Sequence, residues 1–175
     1  MHLRVSAAAL AVLLAPALAA AQNPVAAAFR HEASESSKNL IAAAEEFPAA
    51  KYSYKPTTAQ MSVGAIVDHL SQGNDYLCGA IGGMKAPTRT KIVVSAGKDA
   101  LVARLKETFA FCDQALAGLD DSKLGEELPF FGGSKMSRAG FELATVADWA
   151  DHYSQLANYL RLNKMLPPTA KKPST

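Results

Sequence analysis

Apolar positions fall into four long stretches separated by connectors that carry Pro and Gly. From Pro24 to about Glu46 the chain is rich in Ala, with Val25, Phe29, Leu40 and Ile41 among its apolar positions. Ser34, Ser36, Ser37 and Asn39 make its middle polar, which suits a helix that packs on one face only. Phe47-Pro48 ends it, because the residue before a proline is pushed out of the helical region. Residues 48–57 read as a loop. A second helix is expected from Thr57 or Thr58, where Thr57 and Gln60 have the spacing of a capping box. It runs through Met61, Ala65, Ile66, His69, Leu70, Tyr76 and Leu77 and stops at Gly82-Gly83. Gly73 lies inside it; a glycine there weakens a helix locally and also permits close approach.

Residues 84–97 form a connector with Pro87, in which Lys91-Ile92-Val93-Val94 is β-branched enough for a short extended piece. A third helix covers about Lys98 to Leu119, with Leu101, Leu105, Phe109, Cys112 and Leu116 at helical spacing. Residues 120–140 show no regular period and centre on Pro129-Phe130-Phe131-Gly132-Gly133. Long loops of this kind in compact domains are often functional. A fourth helix runs from about Phe141 to Asn163, Leu166-Pro167-Pro168 terminates the fold, and residues 169–175 form a flexible polar tail. Four amphipathic helices without a convincing sheet predict an all-α four-helix bundle over residues 22–168.

The N-terminus adds an address to this fold. Arg4 supplies a positive start, Ala7 to Leu14 is an apolar core broken by Pro16, and Ala19-Ala20-Ala21 before Gln22 is a small-residue cleavage site. Residues 1–21 therefore read as a secretory signal peptide, too short in its apolar run to span a bilayer, which takes about 20 residues. The expected location is periplasmic or secreted. Removing 21 of the 175 residues leaves 154, one ordinary domain, and losing Arg4 lowers the formal net charge from +2 to +1. No basic stripe is present, so nucleic acid is not an expected partner, and no second apolar run approaches a membrane span. The two cysteines, Cys78 and Cys112, are compatible either with a disulfide in an exported protein or with two buried thiols.

Candidate chemistry rests on the four histidines. His2 leaves with the signal peptide, and His31 lies among Ser, Glu and Lys on a solvated face. His69 falls on what the periodicity gives as the buried stripe of the second helix. On the fourth helix Asp148 and His152 are four apart, so their side chains leave one face a turn apart. Phe141, Leu156, Tyr159 and Leu160 continue roughly that face, directing the pair toward the core. Two imidazoles and one carboxylate with an open position suit Zn²⁺, Ni²⁺ or Fe²⁺. The same residues also suit a buried hydrogen-bond network without an ion. Tyr76, Gln72, Tyr153, Gln155, Tyr159 and Arg161 lie on or near the same helices, Trp149 reads as packing, and Phe130-Phe131-Gly132-Gly133 as either a lid or a loop docked on the core.

Two motifs are similar to a known family. Lys55-Pro56-Thr57-Thr58-Ala59-Gln60-Met61-Ser62, followed by Val67-Asp68-His69, resembles the K-P-x-x-x-Q-M-S segment and following histidine of the DinB (damage-inducible) family. Asp151-His152-Tyr153-Ser154-Gln155-Leu156, with Tyr159-Leu160-Arg161 and Pro167-Pro168, resembles its H-x-G-Q-L…Y-L-R…P-P ending. The resemblance spans about residues 25–168. It implies a four-helix bundle holding a divalent metal on three histidines, one from helix two and two from helix four, and a homodimer. His69 and His152 match the first and last of these ligands. Asp148 stands where the family has the third, and Ser154 replaces the family's Gly. Family activities include thiol-cofactor-dependent transfer or isomerisation and some hydrolysis. Two functions therefore follow as expectations. One is a metal-dependent hydrolase or transferase acting on a small-molecule substrate. The other is a non-catalytic ligand- or partner-binding bundle of the envelope with a decayed metal site. Export makes a cytosolic thiol cofactor a poor substrate.

Overall fold

Pro24 opens the first helix, α1 (Pro24–Glu46), and the backbone N–H groups left over at its start are satisfied from far away in the chain. The Asp121 carboxylate accepts from Val25 N at 3.0 Å and Ala26 N at 2.8 Å, while Asn23 Oδ1 accepts from Asp121 N at 2.8 Å. The computed structural model describes residues 23–171. The expected signal peptide and residues 172–175 of the expected tail lie outside the described residues.

The second helix, α2 (Val63–Gly82), starts later than the expected Thr57. Ser62, not Thr57, is its cap, with Oγ accepting from Ala65 N at 3.2 Å. Thr57 and Gln60 instead close a turn, Gln60 N donating to Thr57 O at 3.3 Å. The reason is the loop ahead of them: Val63 N and Gly64 N donate back to Tyr54 O and Tyr52 O at 3.0 and 2.8 Å, which folds residues 52–63 on themselves. The third helix, α3 (Lys98–Leu116), follows a connector in which the β-branched stretch finds no partner strand among the described residues. Its end turns into a 3₁₀ segment, Val94–Ala96.

The stretch after α3 is more ordered than its pattern suggests. Strands β1 (Glu127–Pro129) and β2 (Lys135–Ser137) pair antiparallel, with Leu128 opposite Met136. Gly132 (φ 67°) and Gly133 (φ 79°) make the tip, positions where a side chain would be strained. The fourth helix, α4 (Arg138–Leu162), starts directly from β2, with Ser137 Oγ accepting from Gly140 N at 3.2 Å. The start of the polar tail forms a turn, Pro168–Ala170, where Thr169 bonds Tyr153 and Lys171 pairs with Glu46.

The four helices form the expected bundle. The pairs that pack are α2 with α3, α1 with α4, α1 with α3, and α2 with α4, which puts α1 and α2 on one diagonal and α3 and α4 on the other. Leu40, Ile66, Leu70, Leu101, Leu105, Phe109, Phe141 and Trp149 are fully buried between them. Each such side chain contributes about 1.5–3 kcal/mol by leaving water. Cys78 and Cys112 are joined by a disulfide between α2 and α3, with Cα atoms 5.0 Å apart, which settles the alternative left open by the sequence. No helix among the described residues is long and apolar enough to cross a membrane.

One buried polar side chain ties three helices together. Asn74 of α2 donates to Thr108 Oγ1 on α3 at 3.3 Å and accepts from Trp149 Nε1 on α4 at 2.8 Å. All three are fully buried, so these groups have no water to bond instead. The bond to Trp149 sets how far α4 slides along α2, and Trp149 lies between Asp148 and His152.

Candidate metal centre

Because α2 and α4 pack directly, His69 meets Asp148 and His152. The two imidazole rings stand 4.9 Å apart between centroids, at 69° to one another. His152 Nε2 is 3.4 Å from Asp148 Oδ1. One donor atom from each of His69, Asp148 and His152 lies within 4.8 Å of the other two. Three atoms so placed all lie within roughly 2.8 Å of a common point, against metal–ligand bonds of about 2.0–2.2 Å. Closing that gap takes side-chain rotation of under an ångström, which helix-borne side chains permit.

The three residues do not share one environment. His152 is buried, Asp148 is half-buried and His69 is exposed. The expectation that His69 sits on the buried stripe of α2 is therefore corrected. That stripe is Val63, Ile66, Val67, Leu70, Asn74, Leu77 and Ile81, and His69 stands beside it on the rim facing α4. A period of 3.6 residues places neighbours of the stripe at its edge, and the seam with α4 decides whether an edge position faces water or a partner. The face of α4 is likewise divided, with Trp149, His152 and Leu156 inside and Asp148 at the border.

Electrostatics follow from this placement. Burial of the His152 ring opposes its protonation. The hydrogen bond and charge of Asp148 outweigh burial, with Asp151 and Gln155 adding to them, so the His152 pKa stands above the usual imidazole value. His152 Nδ1 is buried without a hydrogen-bond partner. The nitrogen that meets Asp148 is the other one, Nε2, and two imidazoles with one carboxylate are a donor set that fits a divalent cation.

The remaining polar residues near the site have other tasks. Gln72 bonds Asp68 and Gln155 bonds Asp151, each within its own helix. Tyr159 donates to Met61 O at 3.2 Å, Tyr153 holds Thr169, and Arg161 is an exposed residue in the last turn of α4. Trp149 packs between Phe29 and Phe109. Tyr76 is different: its hydroxyl donates to Pro129 O at 3.2 Å and its ring lies 4.8 Å from Phe131, which anchors the hairpin to α2.

Beside His69 and Asp148 opens a cavity of about 200 Å³, walled by Gly73, Leu77, Phe130, Phe131 and Ala144. Nothing in the chain marks Gly73, Leu77 and Ala144 as lining, because which face of α2 meets α4 and the hairpin is not encoded in either helix alone. Asn74 does carry a signal in the chain, since it is an amide within an apolar stripe. A larger cleft of about 300 Å³ lies on the other flank of α2, but its arginines are engaged. Arg89 is held by Asp75 and Glu107, and Arg104 by Glu107 and Thr90 O.

Residues 32–156 match the family model of the DinB superfamily. The chain belongs to the DinB superfamily. Two solved structures share its fold. A DinB-like protein from Bacillus subtilis has 19% identity and a TM-score of 0.65, and covers 83% of this chain and 99% of its own. A DinB-like protein from Bacillus cereus has 14% identity and a TM-score of 0.66, covering 80% of this chain and 93% of its own. No curated protein matches the chain. Within the DinB bundle, then, helices two and four bring together a His–Asp–His group at one end of an apolar cavity.

Proposed function

We propose that this DinB-superfamily protein is an exported metalloprotein, a hydrolase or transferase, holding a divalent ion (Zn²⁺, Ni²⁺ or Fe²⁺) on His69, Asp148 and His152. The observation that carries the proposal is the convergence of three donors of suitable type, from two helices, at the mouth of a small apolar cavity. A bound ion would supply Lewis acidity, ionising a bound water near neutral pH or polarising a substrate directly. The chain's own residues do the rest: His152 is fixed by burial, Asp148 carries the negative charge that favours a cation, and exposed His69 closes the site from the solvent side. Export to the periplasm or medium is part of the proposal and is supported by the Cys78–Cys112 disulfide, a bond at home in oxidising compartments.

Elemental analysis of mature protein purified without chelator tests this reading, with His152→Ala as the control. The expected result is near-stoichiometric divalent metal in the wild type and loss of it in the variant. Metal-free protein whose thermal stability is unmoved by added Zn²⁺, Ni²⁺ or Fe²⁺ would sink it. A second reading, a non-catalytic binding bundle, draws on the 3.4 Å contact between Asp148 and His152, which pairs these two groups without an ion. Under that reading His69→Ala leaves the stability unchanged by metal in both proteins.

A further inference from the structure

One glycine of α2 has no structural reason to be a glycine. A side-chain carbon at Gly79 would press on Met84 O at 2.8 Å, and one at Gly82 would collide with the backbone of Ala115. Gly64 is also crowded, at 3.0 Å from Val94 and 3.2 Å from Tyr52 O. At Gly73 the nearest atom is Leu77 Cδ1 at 3.7 Å, an ordinary contact, and its backbone is regular helix. Glycine inside a helix costs about 1 kcal/mol relative to alanine. Here that cost leaves open space, because Gly73 lines the cavity next to His69 and Asp148.

The opposite wall is built from the hairpin tip. Phe131 packs on Tyr76 at 4.8 Å and on Phe130 at 4.9 Å, and Phe130 packs on Phe141 at 5.0 Å. The tip is held in place: Phe130 N donates to Ser134 O at 2.8 Å and Ser134 Oγ to Phe131 O at 2.8 Å. Even so, Phe131 leaves 58% of its surface in water. A large apolar ring fixed at a cavity mouth and left exposed is a surface suited to an apolar ligand. The cavity is lined by one acidic group, the Asp148 carboxylate, and by neither lysine nor arginine.

We propose that the cavity is the substrate subsite of the centre and takes an uncharged apolar group of about one aromatic ring, admitted by Gly73 and covered by Phe131. The volume agrees, since a cavity of roughly 150 Å³ holds a benzene ring, and this one has about 200 Å³. The apolar walls of Leu77, Phe130, Phe131 and Ala144 disfavour an anionic tail, which would lose its water there without gaining a partner. Placement of the substrate's polar head at His69 and Asp148 rests on the metal centre proposed above; the ring subsite rests on the cavity alone. Phe131 and Gly73 are specificity-determining residues in this scheme.

The test uses two probes. Zn²⁺-loaded protein is titrated calorimetrically with acetohydroxamate, benzohydroxamate and 4-carboxybenzohydroxamate, and metal-free protein is followed by ¹⁹F NMR with 4-fluorobenzyl alcohol. Benzohydroxamate is expected to bind about tenfold tighter than acetohydroxamate, the worth of burying a ring, and the carboxylated ligand to lose that gain. Gly73→Leu fills the cavity, so it abolishes the ring preference and the ¹⁹F broadening while Zn²⁺ affinity and thermal stability are kept. Phe131→Ala, a change at an exposed tip, weakens the ring preference independently of any effect on α2. Equal affinities for the two simple hydroxamates, or ¹⁹F broadening that survives Gly73→Leu, overturns the subsite. Failure to take up Zn²⁺ with ¹⁹F broadening that Gly73→Leu removes overturns the metal centre and leaves the ring subsite standing.

Discussion

Asn74 on α2 accepts a hydrogen bond from Trp149 on α4 at 2.8 Å, and both residues are fully buried. The bond fixes the register between the two helices that carry the His–Asp–His group. Asn74→Ala removes it and strands the indole N–H without a partner. The expected cost is about 1–3 kcal/mol, read as a lower urea midpoint at unchanged slope. Zn²⁺ affinity should fall as well, because the same bond aligns His152 with His69. An unchanged midpoint would show that this bridge carries no stability.

The Cys78–Cys112 bond closes a loop with a sequence separation of 34 between α2 and α3. Closure of a loop that size restricts the unfolded chain by roughly 4 kcal/mol. The Cys78→Ala/Cys112→Ala double variant is expected to lose about 2–4 kcal/mol in chemical denaturation. Denatured, unreduced wild-type protein should show no reactive thiol, and the reduced protein two.

Glu142 is buried between α4 and α1, with both carboxylate oxygens unpartnered. Burial raises its pKa above the ordinary carboxylate value, opposed by the charges of Arg138 and Arg30. A carboxylate with a raised folded-state pKa binds its proton more readily folded than unfolded, so stability falls as pH rises from the unfolded pKa through the folded one. Glu142→Gln should therefore raise Tm at neutral pH by a few degrees, and the gain should vanish below about pH 4. A constant difference across pH would refute the assignment.

His152 gives the opposite dependence in metal-free and metal-loaded protein. Its pKa is raised in the fold, against burial, chiefly by Asp148. The metal-free protein thus holds this contribution in full below the unfolded imidazole pKa of about 6.5 and loses it as pH rises through the folded value. A metal ion needs the neutral ring, so the rise in Tm on adding Zn²⁺ should grow with pH over the same window. Asp148→Asn removes the acid-side contribution. Differential scanning fluorimetry from pH 5 to 8, with and without Zn²⁺, reads both effects.

Much of this was legible in the chain itself. Helical spacing of Leu101, Leu105, Phe109 and Leu116 located α3, and Phe47-Pro48 and Gly83 located helix ends, because these are local backbone and burial effects. The Asp148–His152 pair was readable for the same reason, since a four-residue step on one helix fixes two side chains on one face. The paired strands at residues 127–137 were not readable: strands of this length carry too little period to stand out from a loop. Nor was the start of α2, where Ser62 prevailed over Thr57 because loop hydrogen bonds from Tyr52 and Tyr54 hold the preceding residues.

The sequence by itself determined a helical bundle, its DinB likeness and the residue types of a candidate metal site, all properties of segments read one at a time. Tertiary structure alone decided which helices are neighbours. That choice joins Cys78 to Cys112, sets Asn74 against Trp149, and places His69 at an exposed rim facing buried His152. It also leaves Gly73 and Phe131 facing across an apolar cavity. The physical reason is that periodicity records how far a position stands from water, while contact between distant segments depends on how four faces pack together.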